Sequence, residues 1–312
     1  MRHGRFFVEN AGSLAALSLA RGIGATSRLW GQRGLGTMFQ ALSRIPPLAR
    51  AMCQVEISEG SYFQTPVFEA YWAPIVVARR PYETEIYELL RELRGIDTTF
   101  VDCGANYGYW SVVATSREIG ISRAVAIEPN PPTYAVLREN AELNSNRFVC
   151  LQKAASDVDG ESVTLGMPES PLIAFITKDG TPGGVEVETT TIDTALEELG
   201  WADTRPVVMK LDVEGHELPA IAGARKTRER TDHALIVEDF AYKDFPAARV
   251  LLGDGYVLSY VTADRKCHRI TSIAEARRWI AQDGRLQRYS NLIASRPGGV
   301  LDARISAWAR RY

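Results

Sequence analysis

From residue 98 onward, short apolar runs and longer amphipathic stretches alternate at a steady pace. Residues 98–103 form a nearly continuous apolar run, 107–118 carry apolar positions at helical spacing, and 123–128, 131–144 and 147–153 repeat the cycle. Short apolar runs bounded by turn residues suit buried strands, and the longer periodic stretches suit helices packed over them. Further strands are predicted at 206–212 and 234–239. A helix at 243–253, a strand at 255–262, a helix near 272–282 and a last strand in QRYSNLIAS follow. Such alternation predicts an α/β fold with a mostly parallel sheet.

Two regions break the rhythm. Between 160 and 191, GESVTLG, IAFITKDG and VEVETTTID read as strands, with turns at Gly180 and at Gly183-Gly184. An inserted β-element is expected there, near the strand ends where ligands of α/β sheets bind. Ahead of the core, Pro46-Pro47 marks a boundary, residues 53–80 alternate apolar and polar positions with many aromatics, and Tyr82 to Leu93 reads as a helix. Three parts are therefore expected: a basic helical extension at 1–50, a short β and aromatic lead-in at 51–81, and the main domain at 82–312 with its insertion at 160–191.

Composition narrows this picture. The chain has 312 residues and is 46% hydrophobic, enough for a large core and far from a disordered or fibrous composition. Cys53, Cys103, Cys150 and Cys267 are scattered without paired spacing, which argues against a zinc site or a disulfide framework and suits a reducing, cytoplasmic compartment. No apolar run is long enough to span a membrane, and SLAALSLA is too short for a signal sequence before Arg21.

Charge is divided unevenly. Residues 1–50 hold seven arginines and one acid, Glu9, for a net +6, while the remaining 29 bases and 37 acids leave the body at −8. With Leu14, Leu17, Leu29, Trp30 and Phe39 on short apolar faces, the arm reads as helices packed on the body with solvated arginines. An arm lying peripherally on an anionic membrane, or a transit peptide, is the alternative. No nucleic-acid partner is expected, and the oligomeric state is left open.

The chemistry begins at the first core strand. FVDCGANYG places Asp102 at its end, followed by Gly104, Asn106 and Gly108. A dinucleotide site wants G-x-G-x-x-G so that the pyrophosphate can approach the backbone. Here the pattern is D-x-G-x-N-x-G. A carboxylate at Asp102 suits a ligand bearing an ammonium and a sulfonium, S-adenosylmethionine (SAM), better than a pyrophosphate. Glu128 ends the next strand, AVAIE, where an acid can accept hydrogen bonds from ribose hydroxyls.

Four stretches, FVDCGANYGYWS, AIEPNPPTYAVLRENAELN, LQKAASDVDG and VVMKLDVEGHELPAIAGA, occur in order and at suitable distances. Over residues 82–240, and again in SNLIAS, the chain resembles the FkbM family of class I SAM-dependent methyltransferases. The resemblance implies a Rossmann-like sheet of seven strands with a closing antiparallel hairpin. It also implies that Asp102, Gly104, Ala105, Asn106 and Gly108 surround the methionine part of SAM. Glu128 would hold the ribose, with Pro129 and Asn130 beside it, and Ala155, Ser156 and Asp157 would lie near the adenine. The implied acceptors are hydroxyls of sugars, glycolipids, polysaccharides or natural products.

The segment KLDVEGHE follows the fourth core strand and faces the methyl group in that architecture. Lys210 and Asp212 share a strand face, so either a buried ion pair or a ligand contact is expected there. Methyl transfer to an alcohol needs close positioning and a base; Asp212, Glu214, His216, Glu217 and Glu238 are the candidates. Asp212 and Glu214 are placed nearest the reacting centre, with Glu217 or His216 as base. The alternative for His216 is a polar residue of a helix's first turn, and for Glu217 an acid complementing the helix dipole. No metal is required, although Asp212 with Glu238 or Asp239 offers oxygen ligands for a divalent cation. A nicotinamide-dependent oxidoreductase and a non-catalytic SAM-binding docking module are the competing readings.

Overall fold

The computed structural model describes residues 5–8, 10–26, 35–69, 71–72, 82–166, 175–177, 183–240, 244–283 and 289–311. Its central element is an eight-stranded sheet. In chain order the strands are β1 (Thr99–Cys103), β2 (Arg123–Ile127), β3 (Val149–Leu151), β4 (Val207–Leu211), β5 (His233–Phe240), β6 (Val257–Val261), β7 (Cys267–Ile270) and β8 (Tyr289–Ser295). Across the sheet they run β3-β2-β1-β4-β5-β8-β6-β7. The first five in this order pair in parallel. Strand β8 lies antiparallel between β5 and β6, and β7 closes a hairpin with β6.

A short eighth strand at the sheet's edge joins the expected seven. Cys267–Ile270 is four residues of mixed polarity, CHRI, with its two ends buried and His268 and Arg269 half-buried. Four residues are too few for a two-residue period to stand out, so only its pairing with β6 defines it.

Strands β1, β4 and β5 are buried along their whole length, which is why their sequences are apolar runs rather than alternating ones. Alternate residues still separate the two faces. Phe100, Val208 and Ile236 pack into one cluster with Ala124 and Trp110, while Val101, Met209 and Leu235 pack into the other with Val125 and Ile221. The helix Val300–Ala309, which the sequence reading did not anticipate, covers the first face with Leu301, Ile305 and Trp308.

Strand order reverses between β1 and β4, so the connections after them leave in opposite directions and open a crevice at their C-terminal ends. Polar residues of the first face converge there. Lys210 lies directly beside Asp102 in the ladder, and Glu238 lies beside Asn291 of β8.

Two smaller sheets flank the core. Phe6–Phe7, Met52–Ser58 and Ser61–Pro66 make a three-stranded antiparallel sheet. It is fastened to the helix Pro131–Leu143 through Asn140 and Asn144, whose side-chain oxygens accept from the Gln64 and Tyr62 N–H groups at 2.6 and 2.9 Å. The helices Ala11–Thr26 and Leu35–Ser43 pack on it, burying Leu17 and Phe39 against Cys53, Val67 and Phe68 while Leu14 stays exposed. Leu29 and Trp30 lie outside the described residues. The second small sheet joins Ala154–Ala155, Val185–Thr190, Ser162–Gly166 and Phe175–Thr177 in that spatial order.

All four cysteines are free thiols. Among the described residues no helix is long and apolar enough to cross a membrane.

Candidate active site

A cavity of about 260 Å³ opens where β1, β4 and β5 end. Its floor is the turn after β1, with Gly104, Ala105 and Asn106, and the end of β2, with Glu128 and Pro129. Lys210, Asp212, Glu214, His216 and Glu238 come from β4, its following turn and β5. Tyr71, Trp72, Tyr82, Tyr109 and Trp110 form an aromatic wall, and Ala154, Ala155, Leu165 and Ile176 from the small inserted sheet complete it.

The turn is held open by backbone that ordinary residues avoid. Gly104, Asn106 and Gly108 have φ of 69°, 53° and 84°. A Cβ on Gly104 would sit 1.7 Å from the Asp212 carbonyl oxygen, and one on Gly108 would sit 2.5 Å from a methyl of Leu137. Gly104 is thus required by the close approach of the β4 end, in addition to its positive φ.

Glu128 braces this turn. Its carboxylate accepts the Asn106 N–H at 2.8 Å and the Asn130 N–H at 3.0 Å, and the Trp72 indole donates to Asn106 Oδ1 at 2.9 Å. Burial pushes the Glu128 carboxyl up to about 7, against the two N–H donors and Lys210. A carboxyl whose folded pKa is raised favours the fold most below about pH 4.3, its unfolded value, and loses that contribution as pH rises through 7. The difference in stability between wild type and Glu128→Gln is therefore expected to move against wild type by about 1–3 kcal/mol between pH 4.5 and 8. Parallel urea titrations at several pH values measure it; a pH-independent difference would remove the assigned shift.

Charge is concentrated at the ends of β4 and β5. Lys210 is 3% exposed; its Nζ lies 3.0 Å from Asp212 Oδ2 and 3.8 Å from Asp102 Oδ1. Burial works against the ammonium, yet Asp212, Asp102 and Glu83 hold it well above the usual lysine range. Glu83 accepts from the Trp110 indole at 2.6 Å and from the Asn291 amide at 3.1 Å. Burial, then repulsion from Asp212 and Glu85, pushes it up to about 7 despite Lys210. Glu238 is pushed up to about 10, by burial first and then by Asp212, Glu83 and Glu214. Glu214 stands at the rim in a left-handed conformation, φ 54°; loss of water on its inner side, with Asp212 and Glu217, raises it to about 7.

The structure sorts the sequence candidates by position. Gly104, Ala105, Asn106, Glu128, Pro129, Ala155, Lys210, Asp212, Glu214, His216 and Glu238 line one cavity, whereas Asp102, Gly108, Asn130, Ser156, Asp157, Glu217 and Asp239 do not. Asp102 is fully buried beneath the turn, accepting from Ser111 Oγ at 2.8 Å, so its charge meets Lys210 rather than a ligand. Glu217 accepts the Gly215 and Val213 N–H groups at 2.9 and 3.3 Å and thereby shapes the turn. Asp239 points to the opposite face of β5 from Glu238, accepting from the N–H groups of Phe240 and Ala248 at 2.9 and 2.7 Å. Ser156 reaches His216 Nε2 at 3.0 Å, and burial lowers the pKa of that imidazole. Asp157 is exposed.

Glu83 was missed. It precedes the helix Thr84–Glu92 with φ 36° and makes no side-chain cap bond. An acid at a helix start normally reads as a response to the helix dipole, so local sequence offered no reason to send it into the cavity.

Residues 102–285 match the family described as the methyltransferase FkbM domain. The chain belongs to the FkbM methyltransferase family. The matched span of this FkbM methyltransferase includes Asp212, Glu214 and Glu238, while Glu83, Trp72, Tyr82 and Asn291 lie outside it. The chain is 29% identical over 181 residues to the hexuronic acid methyltransferase AglP of Haloferax volcanii, covering 58% of this chain and 72% of that protein. Similar solved structures include methyltransferase FkbM from Methylobacillus flagellatus KT, with a TM-score of 0.40, 15% identity, and coverage of 85% of this chain and 60% of that one. Another is TrmK of M. capricolum in complex with S-adenosyl-homocysteine, with a TM-score of 0.36, 10% identity and 70% coverage of each chain.

Proposed function

We propose that this FkbM methyltransferase is SAM-dependent and methylates a hydroxyl of a sugar, glycolipid, polysaccharide or natural product. The observation that carries the reading is the cavity's lining: Glu128, Asp212, Glu214 and Glu238 face it, and Lys210, the one Lys or Arg among its described lining residues, is already ion-paired. Oxygen acceptors of this kind fit an ammonium, a sulfonium and ribose hydroxyls. A pyrophosphate would find no unpaired cation among the described lining residues, which disfavours the nicotinamide reading. The aromatic wall offers flat apolar faces for the C–H side of a sugar ring, and the relative from Haloferax volcanii is named for action on a hexuronic acid.

When bound, SAM supplies a methyl carbon on a sulfonium, open to in-line displacement by an oxygen. Glu128, locked by two backbone N–H groups, is assigned to hold the ribose at the end of β2. Trp72 and Tyr82, packed 5.2 Å apart edge to face, fix the wall against which the acceptor lies. Glu214 is assigned the hydroxyl proton: it stands at the rim, and its left-handed backbone is a strained conformation of the kind retained at working sites. Glu217, tied up in the turn, is not assigned this role.

Methyl-labelled SAM incubated with the protein and a panel of sugar acceptors, including hexuronides, tests the reading by mass spectrometry of the product. SAM is expected to raise Tm, and Glu214→Gln is expected to lower kcat by about 10²–10⁴-fold while keeping that shift. His216→Asn is expected to retain most activity. A Tm rise with NAD in place of SAM would overturn the cofactor assignment. SAM binding without transfer to any acceptor would support the docking-module reading.

A further inference from the structure

Glu83, Asp212 and Glu238 come from three separate elements, the start of a helix, the end of β4 and the end of β5. Each presents a carboxylate oxygen within 4.8 Å of the other two. Oxygens on one ion are at most about 4.2 Å apart at magnesium bond lengths and about 5.2 Å at the longest calcium ones, so oxygens within 4.8 Å of one another can close on one shared cation with small side-chain shifts. Clustering alone is common on acidic surfaces. Here a second observation accompanies it: Glu238 is 7% exposed, lines the cavity, and its carboxylate has no hydrogen-bond or ion-pair partner among the described residues. Ionising a carboxyl so buried costs several kcal/mol unless a positive partner stands beside it, and the cavity side of Glu238 is where such a partner fits.

Lys210 does not fill that place. Its ammonium bonds to one oxygen of Asp212 and pairs with Asp102; among the described residues it forms no ion pair with Glu238, where its attraction is smaller than the repulsion from Asp212, Glu83 and Glu214. The other acids are held in aim. Glu83 is oriented by Trp110 and Asn291, and Asn291 sits directly beside Glu238 in the β5–β8 ladder. Such outer hydrogen bonds are how ligand carboxylates are fixed in metal sites.

We infer that Glu83, Asp212 and Glu238 form a binding site for one hard divalent cation of the magnesium or manganese class, with its remaining positions open to the cavity. Three carboxylate oxygens with no nitrogen or sulfur donor select such ions over zinc or copper. The open positions would take water or a hydroxyl oxygen of the acceptor, where the ion eases loss of the hydroxyl proton. That last consequence rests on the proposed O-methylation; the site itself does not.

The test uses Mn²⁺ alone with the full chain, without SAM or acceptor, so that a negative result leaves the methyl-transfer reading standing. Loss of the free Mn²⁺ electron paramagnetic resonance signal is expected to show one ion bound per chain, displaced by Mg²⁺. Glu238→Gln and Glu83→Gln are each expected to weaken binding at least tenfold, whereas Glu142→Gln, a change at an exposed helix position, leaves it unaltered. Circular dichroism checks that the variants fold. Independently of any variant, Fe²⁺ with ascorbate is expected to cleave the wild-type backbone near residues 83, 212 and 238, with Mg²⁺ suppressing the cuts. No Mn²⁺ binding at millimolar concentration, binding undiminished in both variants, or cleavage confined to other segments would overturn the site.

Discussion

Lys210→Met is expected to cost about 3–5 kcal/mol of stability, the range seen when one partner of a buried ion pair is removed. At roughly 2–4 °C per kcal/mol for a chain of this size, Tm falls by about 6–20 °C. The reason lies in what the ammonium leaves behind. Asp102 is fully buried, with Oδ2 bonded to Ser111 and Oδ1 lacking any hydrogen-bond partner. Lys210, 3.8 Å away, is the cation paired with it, and also the one 3.0 Å from Asp212. Methionine fills much of the volume without the charge, so the loss reports electrostatics rather than a cavity. Adding Asp102→Asn to Lys210→Met removes the stranded charge, and the double variant is expected to be more stable than the sum of the single effects by about 0.5–3 kcal/mol. Thermal and urea unfolding of the four proteins measure this coupling. Strict additivity would show that the pair does not carry the centre of the sheet.

Gly104→Ala is the second large effect. The added methyl would lie 1.7 Å from the Asp212 carbonyl oxygen and 2.8 Å from its carbon, both backbone atoms that no rotamer can move. The two chains cannot easily part, because Cys103 pairs with Leu211 and the Asp212 N–H donates to the Cys103 carbonyl at 3.2 Å. Left-handed backbone adds about 1–2 kcal/mol for a non-glycine residue, and overpacking about 1–3 kcal/mol more. The expected loss is therefore about 2–5 kcal/mol, together with loss of any SAM-induced rise in Tm, since Gly104 and Asp212 both line the cavity. Gly120→Ala provides the contrast. Gly120 has φ of 84° with nothing within 4 Å of an added Cβ, so it bears only the conformational cost. Equal losses at both positions would show that the close approach contributes nothing.

The regular alternation of apolar runs and amphipathic stretches was enough to place β1, β2, β4 and β5 within a residue or two, because strands buried on both faces must be apolar throughout. The ion pair of Lys210 with Asp212 was legible for a similar reason. Two residues apart on a strand, they share a face whatever the rest of the chain does. Glu128 was legible as the acid ending a strand after a glycine turn. Its direct partners, the N–H groups of Asn106 and Asn130, were not. Asp102 was read as a ligand-facing charge and lies instead beneath the turn, since strand parity says which face a side chain takes but not whether a neighbouring lysine covers it.

Sequence alone therefore determined the order of elements, the sheet's parallel half, the acidic character of the strand ends and the family pattern. These follow from periodicity and local turn chemistry, which act over a few residues. Tertiary structure decided which acids meet. Glu83 joins Asp212 and Glu238 across more than a hundred residues of chain only because its helix docks beside β8, where Asn291 and Trp110 turn its carboxylate inward. Glu217 and Asp239, adjacent in sequence to cavity residues, were directed away by backbone N–H groups that claimed their oxygens. A carboxylate takes the nearest good donors, and the folded chain fixes which donors those are.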